Sequence, residues 1–256
     1  MNLENARIWL TGASSGIGEA LVPALTAAGA RLAITARRAD RLEALAAAHA
    51  RPGRPILVLP ADVTDRDAVR RAVQAVEREW GGIDLALLNA GTGKGVAVRA
   101  FDTGTFRSIM DVNFFGVLHG IEAVLPGMLE RRAGRIAGVA SLAGYRAGPG
   151  LAGYGSSKAA LIHVLESLRF GLARYGIGVT VINPGFVRTP MTAVNRYWMP
   201  ALMPVDRAAA RIVRGLRRDR KEIHFPRRLS WTLKVLRILP FPVYERIIST
   251  FVRREI

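Results

Sequence analysis

Short apolar runs alternate with helical patterns over the first two-thirds of the chain. The runs predict strands at 7–10, 31–35, 55–59, 83–88, 135–139 and 179–182, with an edge strand at 222–225. The segments between them have the apolar spacing of helices, at about 16–28, 38–49, 65–80, 105–132, 153–175 and 205–218. This alternation is typical of βαβ units, so we predict an α/β fold with one doubly wound parallel sheet flanked by helices.

The pattern changes beyond about residue 190. The segment 191–204 contains three methionines together with Tyr197 and Trp198, and it has little regular periodicity. Such a composition suits an apolar lid over a pocket, although an ordinary packed connection has the same composition. We predict one main domain over 1–225, with the lid at about 190–204, and a C-terminal basic, amphipathic helical extension over 226–256.

Composition excludes several kinds of site. Half of the 256 residues are apolar, which suffices for one well-buried core, and the absence of cysteine excludes disulfides and thiolate metal sites. The histidines are scattered without the spacing of metal ligands, so we predict no metal: His49, His119, His163 and His224. The first residues lack a secretory core, and no apolar run approaches the roughly 18 residues of a membrane span. We therefore expect a cytoplasmic protein, or one on the cytosolic face of a membrane.

A glycine-rich segment follows the first predicted strand and opens the first helix. Glycines there let the backbone approach a pyrophosphate, and the helix N-terminus supplies N–H groups and a favourable dipole. Many strand–helix turns are glycine-rich without binding anything, so the position after the first strand is what favours a dinucleotide site and a Rossmann-like fold. The residues expected to contact the dinucleotide are Gly12, Ser14, Ser15, Gly16, Ile17 and Gly18.

The end of the second strand indicates which dinucleotide is bound. Proteins that choose NAD typically have an acidic side chain here, which accepts hydrogen bonds from the ribose 2′-OH. This chain has Arg37 and Arg38 instead, and no carboxylate lies between the end of this strand and Asp40. Two guanidinium groups suit a 2′-phosphate, and a bound phosphate also explains basic residues at a helix N-terminus. We predict NADP(H) rather than NAD(H).

Tyr154 and Lys158 lie four residues apart in a predicted helix, so they share one face about a turn apart. A tyrosine hydroxyl with its ordinary pKa near ~10 is a poor acid–base catalyst at neutral pH. A neighbouring ammonium group favours the phenolate and lowers that pKa. The pair is common by chance, so its interpretation depends on what surrounds it.

The surrounding motifs make chance a poor explanation. In chain order the sequence has the glycine turn, Asn-Ala-Gly at 89–91, Asn113, Ser141, the Tyr154 and Lys158 pair, and Asn-Pro-Gly at 183–185. Over about residues 5–190 the chain therefore resembles the short-chain dehydrogenase/reductase family.

The resemblance implies a role for each catalytic residue. Tyr154 would be the general acid in reduction, donating its proton to the carbonyl oxygen as hydride leaves nicotinamide C4. Lys158 would lower the tyrosine pKa and hydrogen-bond the nicotinamide ribose. Ser141 would orient and polarise the carbonyl, and Asn113 would hold a water between Lys158 and solvent.

The resemblance also implies the remaining cofactor contacts. Asp62 and Val63 match the adenine-contacting positions, and Asn89, Ala90 and Gly91 match the stretch beside the adenine ribose. The segment that orients the nicotinamide carboxamide corresponds to Pro184, Gly185, Val187 and Thr189. The chain departs from the family at Leu88, where an asparagine is frequent, and in the glycine-rich stretch 91–95, where we expect a mobile rim.

The charge of +17 is concentrated towards the C-terminus. Residues 200–256 contain 14 Lys and Arg against 5 Asp and Glu, and two segments, 227–239 and 243–254, are basic and amphipathic. A polar stripe on the first segment comprises Arg227, Ser230, Lys234 and Arg237. A basic amphipathic helix can lie in a membrane interface, so peripheral membrane contact through 227–254 is one interpretation. Packing on the chain's own domain or on a second subunit is another, and no recognisable module favours nucleic acid.

These observations favour an NADP(H)-dependent oxidoreductase that interconverts a carbonyl and an alcohol. The apolar lid and C-terminal segment suggest a lipophilic substrate. Two alternatives stay open: a 3-oxoacyl-carrier-protein reductase, whose arginines would dock an acidic carrier, and a catalytically silent NADP(H)-sensing protein. The family commonly associates through the helices predicted at 105–132 and 153–175, so we expect a homo-oligomer, either a dimer or a tetramer.

Overall fold

A computed structural model describes residues 1–93, 96, 101–195 and 198–252. Seven strands form one parallel sheet in the order β3-β2-β1-β4-β5-β6-β7. The strands are β1 Arg7–Thr11, β2 Arg31–Thr35, β3 Leu57–Val58, β4 Leu85–Leu88, β5 Gly134–Val139, β6 Ile177–Pro184 and β7 Glu222–Phe225. The strand order reverses between β1 and β4, which makes the sheet doubly wound. The predicted fold class is confirmed.

Ten α-helices are described, and most of them connect consecutive strands. They are α1 Gly16–Ala27, α2 Ala39–His49, α3 Arg66–Trp80, α4 Thr103–Met110, α5 Gly116–Arg131, α6 Ala152–Leu172, α7 Pro190–Ala193, α8 Val205–Arg217, α9 Arg227–Ile238 and α10 Phe241–Val252. Helix α3 shows why such segments start and stop where they do. The Asp65 carboxylate accepts hydrogen bonds from the N–H groups of Asp67 and Ala68, and Gly81 ends the helix in the left-handed conformation.

The sheet separates two apolar cores. Helices α1, α2 and α8 cover one face, where Leu10, Leu25 and Ile212 are fully buried. Helices α3, α5 and α6 cover the other face, where Trp9 and Leu165 are fully buried. Strands with apolar side chains on both faces are expected of a parallel sheet that is covered by helices on both sides.

The predicted long helix at 105–132 is interrupted. Its first part is α4, capped by the Asp102 carboxylate, and its second part is α5. Between them Asp111–Phe115 forms a π-helical turn. By length and composition alone Thr103–Arg131 could cross a bilayer. Here its α5 part packs on α3 and β4, and Val117, Val124 and Met128 are buried there.

Three other elements differ from their predicted bounds. Strand β3 is two residues long because it pairs with β2 only through Leu57 and Val58. Strand β6 extends on both sides of the predicted 179–182, since Ile177–Pro184 pairs with β5 and β7. The predicted lid at 190–204 begins with α7, and a bridge between Val187 and Met203 closes its base. Tyr197 lies outside the described residues.

Candidate active site

A cavity of about 560 Å³ opens at the carboxyl ends of the strands, beside the point where the strand order reverses. Most of the residues predicted for the dinucleotide site line it together. They are Gly12, Ser14, Ser15, Gly16, Ile17, Arg37, Arg38, Asp62, Val63, Asn89, Ala90, Gly91, Pro184, Gly185, Val187 and Thr189. Ser141, Tyr154 and Lys158 line the same cavity. Residues from seven separate segments of the chain therefore meet at one place.

The glycine turn needs its glycines for two different reasons. Gly12 and Gly16 have φ values of 69° and 58°, and a Cβ on Gly12 would lie 2.7 Å from the Ala90 Cα. Only glycine adopts this conformation without strain and leaves the backbone bare toward the cavity. Gly18 is buried away from the cavity lining, and a Cβ on it would lie 2.1 Å from the Gly12 carbonyl oxygen. Gly18 thus allows close packing of α1 under the turn.

The two arginines after β2 stand beside this turn in different ways. The Arg38 guanidinium donates hydrogen bonds to the Ser14 carbonyl at 2.8 Å and to the Ser14 hydroxyl at 3.0 Å. The Arg37 side chain is 77% exposed, with a carboxylate oxygen of Asp62 3.8 Å away. Arg38 is therefore held against the turn, whereas Arg37 has one long, solvent-screened ion pair.

Tyr154 and Lys158 lie on one face of α6, and Ser141 approaches from the end of β5. The Lys158 Nζ is 5.8 Å from the centre of the Tyr154 ring and donates a hydrogen bond to the Val139 carbonyl at 2.9 Å. Burial lowers the pKa of Lys158 to about 8. The Ser141 hydroxyl accepts a hydrogen bond from the Ala143 N–H at 3.1 Å, which holds it at the start of a short 3₁₀ turn.

Asn113 lies behind these residues and does not line the cavity. Its side-chain oxygen accepts a hydrogen bond from the Thr92 N–H at 2.7 Å, and its amide donates to the Thr92 carbonyl and to the Ser157 hydroxyl, each at 3.0 Å. The Ser157 hydroxyl in turn donates to the Tyr154 carbonyl at 2.7 Å. Asn113 thus links the rim after β4 to the helix that carries Tyr154 and Lys158.

Comparison with known proteins decides the family. The family model for short chain dehydrogenase matches residues 6–200. This chain belongs to the short-chain dehydrogenase family. The resemblance drawn from the motifs is confirmed, and an oxidoreductase follows from it.

Relatives and solved structures agree with this assignment. An uncharacterized oxidoreductase of Myxococcus xanthus is 38% identical over 236 residues, which cover 92% of this chain and 93% of the relative. A short chain dehydrogenase from Burkholderia cenocepacia, solved in complex with NADP, has a TM-score of 0.83 and 26% identity, covering 97% of this chain and 99% of its own. One from Burkholderia phymatum, solved with NAD, has a TM-score of 0.84 at 21% identity over 91% of this chain and 93% of its own, which shows the fold alone.

The short-chain dehydrogenase cavity also includes residues that were not among the predicted site residues, two of which lie in the predicted lid. Thr92, Ser108 and Val112 line it, and so do Met191 and Thr192 from α7. Backbone N–H and C=O groups at Thr92 hold Asn113, so no side-chain motif marks that position. Ser108 and Val112 belong to α4 and the π-helical turn, which periodicity had predicted as one regular helix. These five residues are candidates for the substrate side of the cavity.

The departure from the family at Leu88 has a packing explanation. Leu88 is buried, and a Cβ on Gly120 of α5 would lie 2.7 Å from a Leu88 methyl carbon. The strand end is held instead through Asn89, whose side-chain amide donates to the carbonyls of Thr11 and Gly12 at 3.1 and 3.2 Å. An apolar residue at 88 therefore leaves the glycine turn anchored.

The second departure concerns the rim at 91–95. Met191 packs directly on Gly93, since a Cβ there would lie 2.7 Å from the Met191 Cγ. A larger residue at 93 would displace Met191 from the mouth of the cavity. Lys94 and Gly95 lie outside the described residues, and the predicted mobility of this rim stays a prediction.

Proposed function

We propose that this chain is an NADP(H)-dependent oxidoreductase that interconverts a lipophilic carbonyl compound and its alcohol. The observation that carries the proposal is the single cavity in which Ser141, Tyr154 and Lys158 face the glycine turn. The cavity fits a nicotinamide dinucleotide, because bare glycine backbone at Gly12 and Gly16 leaves room for a pyrophosphate at the start of α1. When bound, the cofactor supplies or accepts hydride at nicotinamide C4.

The chain's own residues handle the proton and the developing charge. Tyr154 donates its hydroxyl proton to the carbonyl oxygen during reduction and takes it back from the alcohol during oxidation. The Ser141 hydroxyl donates a hydrogen bond to the same oxygen and stabilises the charge that forms on it. The Lys158 ammonium stabilises the tyrosine phenolate left after proton transfer and hydrogen-bonds the nicotinamide ribose. Asn113 acts through other groups, by fixing Thr92 and Ser157 around these side chains.

The preference for NADP(H) rests on Arg37 and Arg38. Both line the cavity, and the exposed Arg37 guanidinium has capacity for a 2′-phosphate. We expect Arg37→Ala to raise KM for NADPH by about tenfold while KM for NADH changes less than threefold, since a charge-assisted contact is lost with one cofactor alone. Steady-state kinetics with both cofactors checks this.

A second substitution and a control sharpen that experiment. Because Arg38 also holds Ser14 in the glycine turn, Arg38→Ala should raise KM for both cofactors. Arg41 is exposed one turn further along α2 and does not line the cavity, so Arg41→Ala should change neither value. Equal increases in KM for NADPH and for NADH in Arg37→Ala would contradict the assignment of Arg37 to the 2′-phosphate.

The inference of a lipophilic substrate is based on the cavity lining, which includes the apolar side chains of Val112 and Met191. We expect kcat/KM for a series of methyl ketones to rise about threefold per added methylene until the mouth is filled, with NADPH as reductant. Absorbance of NADPH at a fixed enzyme concentration measures this. Hydroxylated ketones of equal length are the control, and preferential turnover of these would contradict the proposal.

A 3-oxoacyl-carrier-protein reductase is the second candidate, because exposed arginines would dock an acidic carrier. It predicts turnover of carrier-linked substrates that falls steeply with salt, while free ketones are poor substrates at any ionic strength. The same ketone series separates the two candidates.

We also propose that the enzyme works as a homo-oligomer, in the cytosol or on the cytosolic face of a membrane. The family's association helices correspond to α4–α5 and α6, and each presents an exposed phenylalanine, Phe115 and Phe170. Exposed aromatic side chains on such helices suit a subunit interface.

A further inference from the structure

Helix α9 packs on the domain through Leu229 and Leu233 and through two polar side chains. Ser230 is fully buried, with its hydroxyl 2.6 Å from His224 Nδ1 on β7. The Lys234 ammonium pairs with the Glu222 carboxylate at 2.5 Å. Burial opposes the charge on Glu222, but hydrogen bonds from Lys234 and other neighbours lower its pKa overall. These two residues of the predicted polar stripe therefore face the protein, beside Leu229 and Leu233, which pack against the apolar core.

The opposite face of α9 presents large apolar side chains to solvent. Trp231, Val235 and Ile238 are 55%, 57% and 81% exposed. Their spacing of four and three residues places them in one stripe along the helix. Arg227 and Arg228, both exposed, lie in the first turn at the end of that stripe. A soluble protein rarely leaves such a stripe uncovered.

The charge around the stripe indicates what covers it. Besides Arg227 and Arg228, the exposed charged residues described on α9 and α10 are Arg237, Glu245 and Arg246. A second copy of the chain placed on this face would bring these arginine-rich surfaces together, which like-charge repulsion opposes. An anionic lipid surface offers the opposite charge together with an apolar layer for Trp231, Val235 and Ile238.

We propose that the outward face of α9 docks on the surface of an anionic lipid bilayer. Trp231, Val235 and Ile238 insert below the headgroups, while Arg227 and Arg228 contact the lipid phosphates. This surface is separate from the cofactor cavity, so its binding to lipid does not depend on the proposed reaction.

Hydrogen bonds hold the C-terminal end of α9 against the segment between Ser141 and Tyr154. Arg146 lies between Ser141 and Tyr154 in the chain, and its guanidinium donates hydrogen bonds to the carbonyls of Leu236 and Leu239 at 2.7 and 2.8 Å. The same group stacks on the ring of Tyr244 in α10, 4.0 Å from its centre. Docking therefore fixes the segment that carries Ser141 beside the bilayer, where a lipophilic substrate is concentrated.

Binding of the full chain to vesicles tests the proposal. We expect co-sedimentation with vesicles of equal parts phosphatidylcholine and phosphatidylglycerol, and at least tenfold weaker binding to phosphatidylcholine alone. The triple variant Trp231→Ser, Val235→Ser, Ile238→Ser should lose binding more than tenfold. Its matched control, Trp231→Phe, Val235→Ile, Ile238→Leu, keeps the apolar stripe and should bind as the natural chain does.

The charge contribution has its own matched pair. Arg227→Gln with Arg228→Gln should weaken vesicle binding about tenfold, whereas Arg227→Lys with Arg228→Lys should retain most of it. Circular dichroism confirms that each variant is folded. Equal binding by the serine variant and its apolar control would overturn the proposal. So would a drop in oligomer mass of the serine variant in sedimentation without loss of vesicle binding, because that result assigns the face to a second copy.

Discussion

Tyr154→Phe should lower kcat for ketone reduction by about 10³-fold and leave the Kd for NADPH within twofold. Proton transfer by a positioned side chain is worth roughly 10²–10⁴ in rate, and phenylalanine has no proton to donate. The ring itself is retained, so the packing of this half-buried side chain on α6 is preserved. Turnover measured by NADPH absorbance and binding measured by calorimetry separate the two quantities.

The control for this substitution is Tyr175→Phe. Tyr175 lies in the 3₁₀ turn that follows α6, where its ring contacts the guanidinium groups of Arg132 and Arg174, outside the cavity. Tyr175→Phe should therefore leave both kcat for ketone reduction and the Kd for NADPH unchanged. If Tyr154→Phe left the biological activity of the protein untouched with cofactor still bound, the NADP(H)-sensing interpretation would become the better one.

The sequence predicted the sheet well because strand burial is encoded locally. Apolar runs such as 31–35 are buried on both faces in a doubly wound sheet, so each strand is visible without knowledge of its neighbours. The glycine turn was equally visible, since Gly12 and Gly16 adopt positive φ values that other residues avoid. Most of the predicted site residues from Gly12 to Thr189 then line one cavity, because parallel strands bring their carboxyl ends to one edge.

Features that depend on distant partners could not be predicted. The π-helical turn at Asp111–Phe115 breaks no periodicity, yet it places Asn113 where its amide reaches Thr92 and Ser157. The orientation of α9 is a second case. The sequence left open what this amphipathic segment packs on, and in the structure Lys234 of its polar stripe faces Glu222 across the edge of the sheet. Periodicity identifies the two faces of a helix and leaves open which of them is covered.

The protonation state of Lys158 should make the rate of reduction depend on pH. Burial holds its pKa at about 8, below the ordinary value of 10.5, so its ammonium is lost in the free enzyme as the pH rises through about 8. Since the ammonium stabilises the Tyr154 phenolate and holds the ribose, we expect kcat/KM for reduction to fall above pH 8. A profile from pH 6 to 10 in one ionic strength measures the fall. A profile that stays level to pH 10 would contradict a role for this charge.

Stability should change with pH in the opposite direction. The unfolded chain keeps the Lys158 proton up to about pH 10.5, whereas the folded chain releases it near pH 8, so the unfolded state binds more protons between these values. The contribution of Lys158 to the free energy of unfolding therefore rises with pH over that window. Lys158→Met has no ammonium to bury and should remove this rise from denaturant melts.

Lys158→Met also tests the role of the ammonium in catalysis. Lys158→Met keeps an unbranched apolar stem in the buried site but has no charge beside Tyr154, so kcat/KM should fall at least 10²-fold at pH 7. The fall above pH 8 should disappear with it, because the titrating group is gone. A folded Lys158→Met variant with natural activity at pH 7 would show that Tyr154 works without this ammonium. If Lys158→Met lost both the activity at pH 7 and the fall in kcat/KM above pH 8, both effects would be assigned to this one buried side chain.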